Sequence, residues 1–283
     1  MNNSSQKLNR ATKAAVYASL VALSIPAILP LFWMVSTSFK GNEQIFTAQG
    51  ITLKSLIPSP VVTANYPEAL KNMPFLLYLR NTLVLCICTV VGAVGSSALV
   101  AYAFAKLDFD GKKPLFAVMI ATMALPGQVT MIPVFGLFRA LGWYGSYLPL
   151  IVPAFTASAY YVFLLTQFFR TIPTEMSEAA RVDGANEITI FYRLILPLSK
   201  PALATCALFQ FIGAWNDFLG PLLYINDPAK YTLAYGLQQF VSHYGGFYAQ
   251  LMAAATIFTL PIIVLFFFAQ KTFIQGISTT GGK

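Results

Sequence analysis

Few residues in this chain are able to do chemistry. Its 283 residues include ten carboxylates, one histidine and three cysteines. Only Asp217 falls well inside an apolar stretch, and proton or sodium coupling relies on intramembrane carboxylates or on unwound helices with exposed carbonyls. One such carboxylate is thin support for ion-driven transport. Cys86, Cys88 and Cys206 lie in apolar runs and read as small packing residues rather than as a disulfide framework. His243 sits in a polar loop, where a solvated surface histidine is the default. The nearest approach to a phosphate loop is Gly276-Ile-Ser-Thr-Thr-Gly281-Gly282-Lys283. Gly282 stands where that motif needs lysine, so the chain has no recognisable means of binding ATP. If this protein pumps, the energy comes from another subunit. Neither a catalytic residue nor a metal ligand is expected in it.

A second kind of chemistry, docking of a partner, is legible between Thr171 and Pro197. Pro173 suits a helix start, Glu175 and Glu178 complement the positive end of the helix dipole, and Gly184 suits a helix stop. A second short helix is expected from about Asn186 to Leu194, ended by Pro197. Ala179 and Ala180 are small enough for close approach. Glu178, Arg181 and Asp183 could fix the register of a partner. The same pattern also fits an amphipathic helix resting on a membrane surface, and physics alone does not choose between the two.

The elements that must position these residues are apolar helices. The composition is 57% hydrophobic and 10% charged, whereas soluble domains carry about 25% charged residues. Six stretches are long and apolar enough to span a bilayer, roughly 14–39, 77–105, 115–138, 147–169, 201–224 and 249–270. The first is too long for the apolar core of a signal peptide. The expected class is an all-α integral membrane protein, read as a single transmembrane domain over 1–283. Of its 18 Lys and Arg, 12 fall on one side of these spans and 6 on the other. By the positive-inside rule both termini and the loop 170–200 are cytoplasmic, and the net charge of +8 needs no nucleic acid.

The loop also carries a resemblance. Glu178-Ala-Ala-x3-Gly184-x9-Leu194-x-Leu196-Pro197 resembles the EAA loop of ABC importer permeases, with Leu194 where isoleucine is usual. Pro30 to Lys40, Asn81-Thr82, Tyr102-Ala-Phe-Ala-Lys106 and Gly213 to Asp227 extend the likeness to carbohydrate permeases of the maltose type. The resemblance implies the type I importer permease fold, with six transmembrane helices in a bacterial or archaeal inner membrane. It implies that Glu178, Ala179, Ala180, Arg181, Asp183, Gly184, Leu194, Leu196 and Pro197 form the coupling helix region that sits in a cleft of an ATPase subunit. The tail with Gly276, Gly281 and Gly282 would reach into the same ATPase dimer. The implied assembly adds a second, different permease, an extracytoplasmic sugar-binding protein and membrane lipids, with ATP and magnesium on the ATPase and no cofactor in this chain.

For the substrate pathway the candidates are Trp215, Asn216 and Asp217. Trp215 could stack on a sugar ring, while an interhelical hydrogen bond or subunit contact explains the polar pair equally well. Pro126-Gly127 interrupts the third span, a feature that marks a pathway in some transporters and is structural in most. The outer segments 40–76 and 225–248 are expected docking surfaces for the binding protein. The rivals are a stand-alone secondary transporter or facilitator, and a non-transporting membrane protein that binds a cytoplasmic partner.

Overall fold

The computed structural model describes residues 10–47, 54–242 and 247–278. His243, Gly245 and Gly246 therefore lie outside the described residues, as do Gly281 and Gly282. In chain order the helices are α1 (Arg10–Ser38), α2 (Asn42–Thr47), α3 (Asn65–Asn72), α4 (Phe75–Lys106), α5 (Lys112–Thr122), α6 (Gly127–Ala140), α7 (Leu148–Ile151) and α8 (Ala159–Thr171). They continue with α9 (Thr174–Val182), α10 (Glu187–Ile190), α11 (Leu196–Leu198), α12 (Lys200–Trp215), α13 (Leu219–Tyr224), α14 (Leu233–Ser242) and α15 (Tyr248–Ser278). No strand occurs among the described residues.

Four stretches are long and apolar enough to cross a membrane as they stand: Thr12–Ser38, Phe75–Lys106, Leu148–Thr171 and Tyr248–Phe268. Two further stretches are long and apolar enough only as bent helix pairs. The α5–α6 pair turns by 95°, and Glu187–Leu198 meets Lys200–Trp215 at 79°. With each bent pair as one span the count reaches up to six, although Glu187–Leu198 belongs to the loop expected outside the spans. The first break falls at Pro126, which lacks an N–H and forces the preceding residue out of the helical region. The expected fifth span, 201–224, is interrupted too: α12 stops at Trp215 and α13 begins at Leu219.

The chain divides into two compact units. The first comprises residues 1–73 and 239–259. In it the most apolar window of α1 buries none of its side chains, as a helix solvated by lipid does. The segment after α1 is ordered by buried polar contacts. Asn65 Nδ2 donates to the carbonyls of Ser38 (2.8 Å) and Lys40 (2.9 Å). Lys40 is buried, its ammonium donating to the Ser55 carbonyl at 2.6 Å and lying 4.7 Å from the Trp33 ring. Burial lowers its pKa from the ordinary lysine value.

The second unit comprises 74–238 and 260–283, and α4 is its axis. This helix has 32 residues and no internal proline, and small residues let its neighbours come close. A methyl group on Gly92 would lie 2.7 Å from the Phe155 ring. Ser96 and Ser97 complete the irregular turn before α8, their hydroxyls accepting from the backbone N–H of Ala157 (3.0 Å) and Ser158 (2.9 Å). The core gathers Tyr102 and Phe104 of α4 with Leu165 and Phe169 of α8, Ile190, Phe191, Ile195 and Cys206. All three cysteines are free.

Candidate functional site

The loop after α8 builds its own scaffold. Pro173 occupies the N-cap position of α9 without a side-chain cap bond, and Glu175 lies in the first turn. At the other end Gly184 takes a φ of +84°, a left-handed conformation that glycine adopts without a Cβ clash. That allows the N–H of Gly184 to reach the Arg181 carbonyl at 3.0 Å and the N–H of Ala185 to reach the Ala180 carbonyl at 2.9 Å. This paired arrangement is the Schellman motif, which satisfies carbonyls the helix end would otherwise leave open. Asn186 then caps α10, its Oδ1 accepting from Thr189 N–H at 2.8 Å.

The second helix departs from expectation. It does not end near Leu194 and Pro197 does not stop it. Helical turns run on through a π segment, Phe191–Ile195, and through α11, which contains Pro197. Proline cannot donate to the carbonyl four residues back and its ring crowds that carbonyl, and a wider π turn accommodates both defects. The break comes at Ser199, before α12.

The loop thus presents two faces. Ser177, Ile190, Phe191 and Ile195 are buried, and Ala180, Leu194 and Leu196 pack half-buried against the same core. Glu178, Ala179, Arg181, Asp183, Gly184 and Pro197 are exposed. So are large apolar side chains, Met176, Val182, Ile188 and Tyr192, with Val182 89% exposed. Ala179 is open to close approach; Ala180 is taken up by the protein's own core.

Arg181 has an internal partner as well. Its Nε donates to Glu187 Oε1 at 2.7 Å, joining α9 to α10. The other carboxylate oxygen of Glu187 accepts from Tyr102 OH of α4 at 2.5 Å. The Arg181 guanidinium first, and the Tyr102 hydroxyl second, hold the Glu187 carboxyl below the usual carboxylate range. Glu178 and Asp183 form no ion pair among the described residues and leave two free charges on the exposed face. Glu187 and Tyr102 were not among the sequence candidates. The only signal was that Tyr102 lies in a segment shared with the resembling family, because 85 residues separate the two.

A second site lies where the two interrupted helices meet. A cavity of about 340 Å³ is lined by Gly127, Gln128 and Thr130 of α6 and by Asp217, Gly220 and Tyr224 around α13. Asp217 Oδ1 accepts from the N–H of Gly220 at 3.0 Å. A Cβ on Gly220 would come within 2.4 Å of Asp217 Oδ2 and 2.8 Å of Leu150, so only glycine lets the carboxylate fold over this turn. Of the three pathway candidates only Asp217 lines the cavity. Asn216 is exposed and returns its amide to the Ile212 carbonyl at 2.8 Å. Trp215 is 1% exposed and stacks on Phe211, ring centroids 5.6 Å apart. As placed, it offers no face to a sugar ring, because it is buried against its own helix neighbour. Gly276 lies in the last turns of α15, and no three His, Cys, Asp or Glu residues gather to hold a metal among the described residues.

Known proteins share this architecture. The sequence pattern of the family described as "Binding-protein-dependent transport system inner membrane component" matches residues 93–279. The chain is 31% identical over 272 residues to the arabinooligosaccharides transport system permease protein AraQ of Bacillus subtilis, covering 96% of each. It is 33% identical over 277 residues to the trehalose transport system permease protein SugB of Mycobacterium tuberculosis, covering 97% of this chain and 98% of that one. In fold it matches a chain of a bacterial ABC transporter involved in the import of the acidic polysaccharide alginate, with a TM-score of 0.76, 24% identity and coverage of 93% and 98%. This multi-pass membrane protein belongs to the family of inner membrane components of binding-protein-dependent transport systems.

Proposed function

We propose that this chain is one permease subunit of an ATP-driven importer of saccharides, and that α9 is the helix through which an ATPase subunit drives it. The observation that carries the reading is the inner loop: a helix closed at its C-terminal end by the Gly184 motif and held by Arg181–Glu187, which leaves Val182 and other apolar side chains uncovered. Exposed apolar side chains grouped among charges are characteristic of a protein-binding surface. Glu178, Ala179, Asp183 and Gly184 supply that contact surface, while Ala180, Arg181, Leu194, Leu196 and Pro197 mount it.

ATP and magnesium belong on the ATPase dimer. A second, different permease completes the pathway, and an external binding protein delivers the sugar. Relatives named for arabino-oligosaccharide and trehalose transport support a saccharide as cargo. The cavity beside Asp217 is this chain's part of the pathway, with Asn216 at its margin, and the tail from Gly276 through Gly281 and Gly282 gives the ATPase a further contact.

Purification from membranes together with the neighbouring subunits tests this. The ATPase should co-purify, and uptake should need both ATP and binding protein. Sugar uptake by this chain alone in liposomes would refute the proposal. Gly184→Asp places a side chain on a left-handed residue in the capping motif and should abolish uptake while leaving membrane insertion intact.

A further inference from the structure

The inner loop is not held by its own residues alone. Tyr102 and Lys106 lie four apart on α4, so they share one face of that helix. Tyr102 bonds Glu187, just after α9, and Lys106 Nζ donates to the Ile172 carbonyl, just before α9, at 2.5 Å. One turn of α4 therefore grips both ends of the candidate coupling helix. At its other end α4 grips an outer loop in the same way. Asn81 Nδ2 donates to the carbonyls of Ala229 and Tyr231, both at 2.9 Å, and Thr82 Oγ1 accepts from Leu233 N–H at 2.9 Å.

Between these grips α4 is unbroken. Of the three longest helices, α1 contains Pro26 and Pro30 and α15 contains Pro261, whereas α4 contains none. Asn81 and Tyr102 stand about 32 Å apart along it at 1.5 Å per residue. Packed helices move as units because close-packed interiors resist continuous deformation.

We infer that α4 is a rigid link joining the outer loop at Ala229–Leu233 to both ends of α9, with Asn81, Thr82, Tyr102 and Lys106 as positioning residues. The inference rests on α9 being the ATPase-docking helix and deepens that reading. A displacement of the outer loop by an arriving binding protein reaches the ATPase as a shift of α9, and ATPase closure returns along the same helix. Neither bent pair can serve so directly, since each turns through a large angle on the way.

The test uses the complete transporter in lipid vesicles, with ATP hydrolysis measured with and without sugar-loaded binding protein. Asn81→Leu and Tyr102→Phe should each leave basal hydrolysis in place and lower the stimulated-to-basal ratio roughly fivefold, the scale of a lost hydrogen bond. The double variant should fall no further than the worse single, because both cut one link. Unchanged ratios in both singles, or a double variant whose losses multiply, would overturn the inference. If Asn81→Leu does not assemble, Tyr102→Phe and Lys106→Met decide the matter, since they leave the outer grip intact and must each lower the ratio. A wild-type complex that binding protein does not stimulate refutes the transport reading instead, and is told apart because no variant is involved.

Discussion

The inner loop and the cavity beside Asp217 are both built from interrupted helices, yet to opposite ends. In the loop the turn between α9 and α10 is closed by bonds and packing, although the buried hydroxyls of Ser177 and Ser199 find no partner among the described residues. Gly184 closes a capping motif, Asn186 opens the next helix, Arg181 and Tyr102 converge on Glu187, and Ile190 and Ile195 are buried beneath them. At the cavity the interruption is left open. Asp217 is folded back on Gly220, beside the cavity between α6 and α13. On the proposed function the loop passes on a displacement and must not yield internally, whereas the cavity passes cargo and needs room. The difference between the sites is thus one of stiffness, and substitutions in each should separate assembly and coupling from passage.

The largest effect should come from undermining the loop. Ile195 is fully buried in the core beneath α9 and α10. Ile195→Ala removes buried methyl groups and leaves a cavity, a change that costs about 2–5 kcal/mol in protein cores. The expected result is a lower unfolding temperature of the purified complex and a loss of ATPase stimulation. If stimulation is kept with a normal unfolding temperature, the loop is not the stiff element of the comparison.

A smaller effect should come from filling the cavity. Gly220→Val sets new methyl groups against Asp217 Oδ2 and Leu150, where even a Cβ comes within 2.4 Å and 2.8 Å. Overpacking of this kind costs about 1–3 kcal/mol. Uptake should drop by at least tenfold while sugar-loaded binding protein still stimulates ATP hydrolysis, which is the reverse of the Ile195→Ala pattern. Equal losses of both activities would erase the distinction between the two sites.

How far the sequence alone could draw this contrast depends on the range of the interactions. The apolar stretches and the helix stop at Gly184 are properties of local composition, and each was readable. What was not readable came from partners far along the chain. Arg181 reads as a free charge until Tyr102 is seen to fix Glu187 from 85 residues away. Trp215 is the local exception: it reads as a cavity residue until its burial and its stacking on Phe211, four residues back on the same helix, are seen. The geometry at Pro197 shows a local rule yielding to context: burial of Phe191 and Ile195 holds the helix together through a π turn, and the chain breaks at Ser199 instead. Asp217 was singled out because a carboxylate in an apolar stretch is costly. Its backbone bond to Gly220 and the neighbouring bend at Pro126 explain how that cost is met.

The smallest effect should be one of pH. The Glu187 carboxyl titrates below its ordinary range because the charged form is bonded by Arg181 and Tyr102. A depressed carboxylate contributes stability above the pKa of the unfolded chain and loses it as pH falls through the folded value. The contribution is therefore complete at neutral pH and disappears only under acid. Both side chains of the ion pair are more than a third exposed, so solvent screening leaves well under about 1 kcal/mol. Amide hydrogen exchange over α9, compared with α12, would read it directly. In the wild type, protection of α9 should be flat from pH 8 to about 6 and weaken below the carboxylate range. Glu187→Gln, which keeps an oxygen for Tyr102 and loses the charge, should show the weakened protection at every pH while α12 is unaffected. Equal protection in the two proteins at neutral pH would mean that packing alone stiffens the loop and that its charges serve only the partner-facing side.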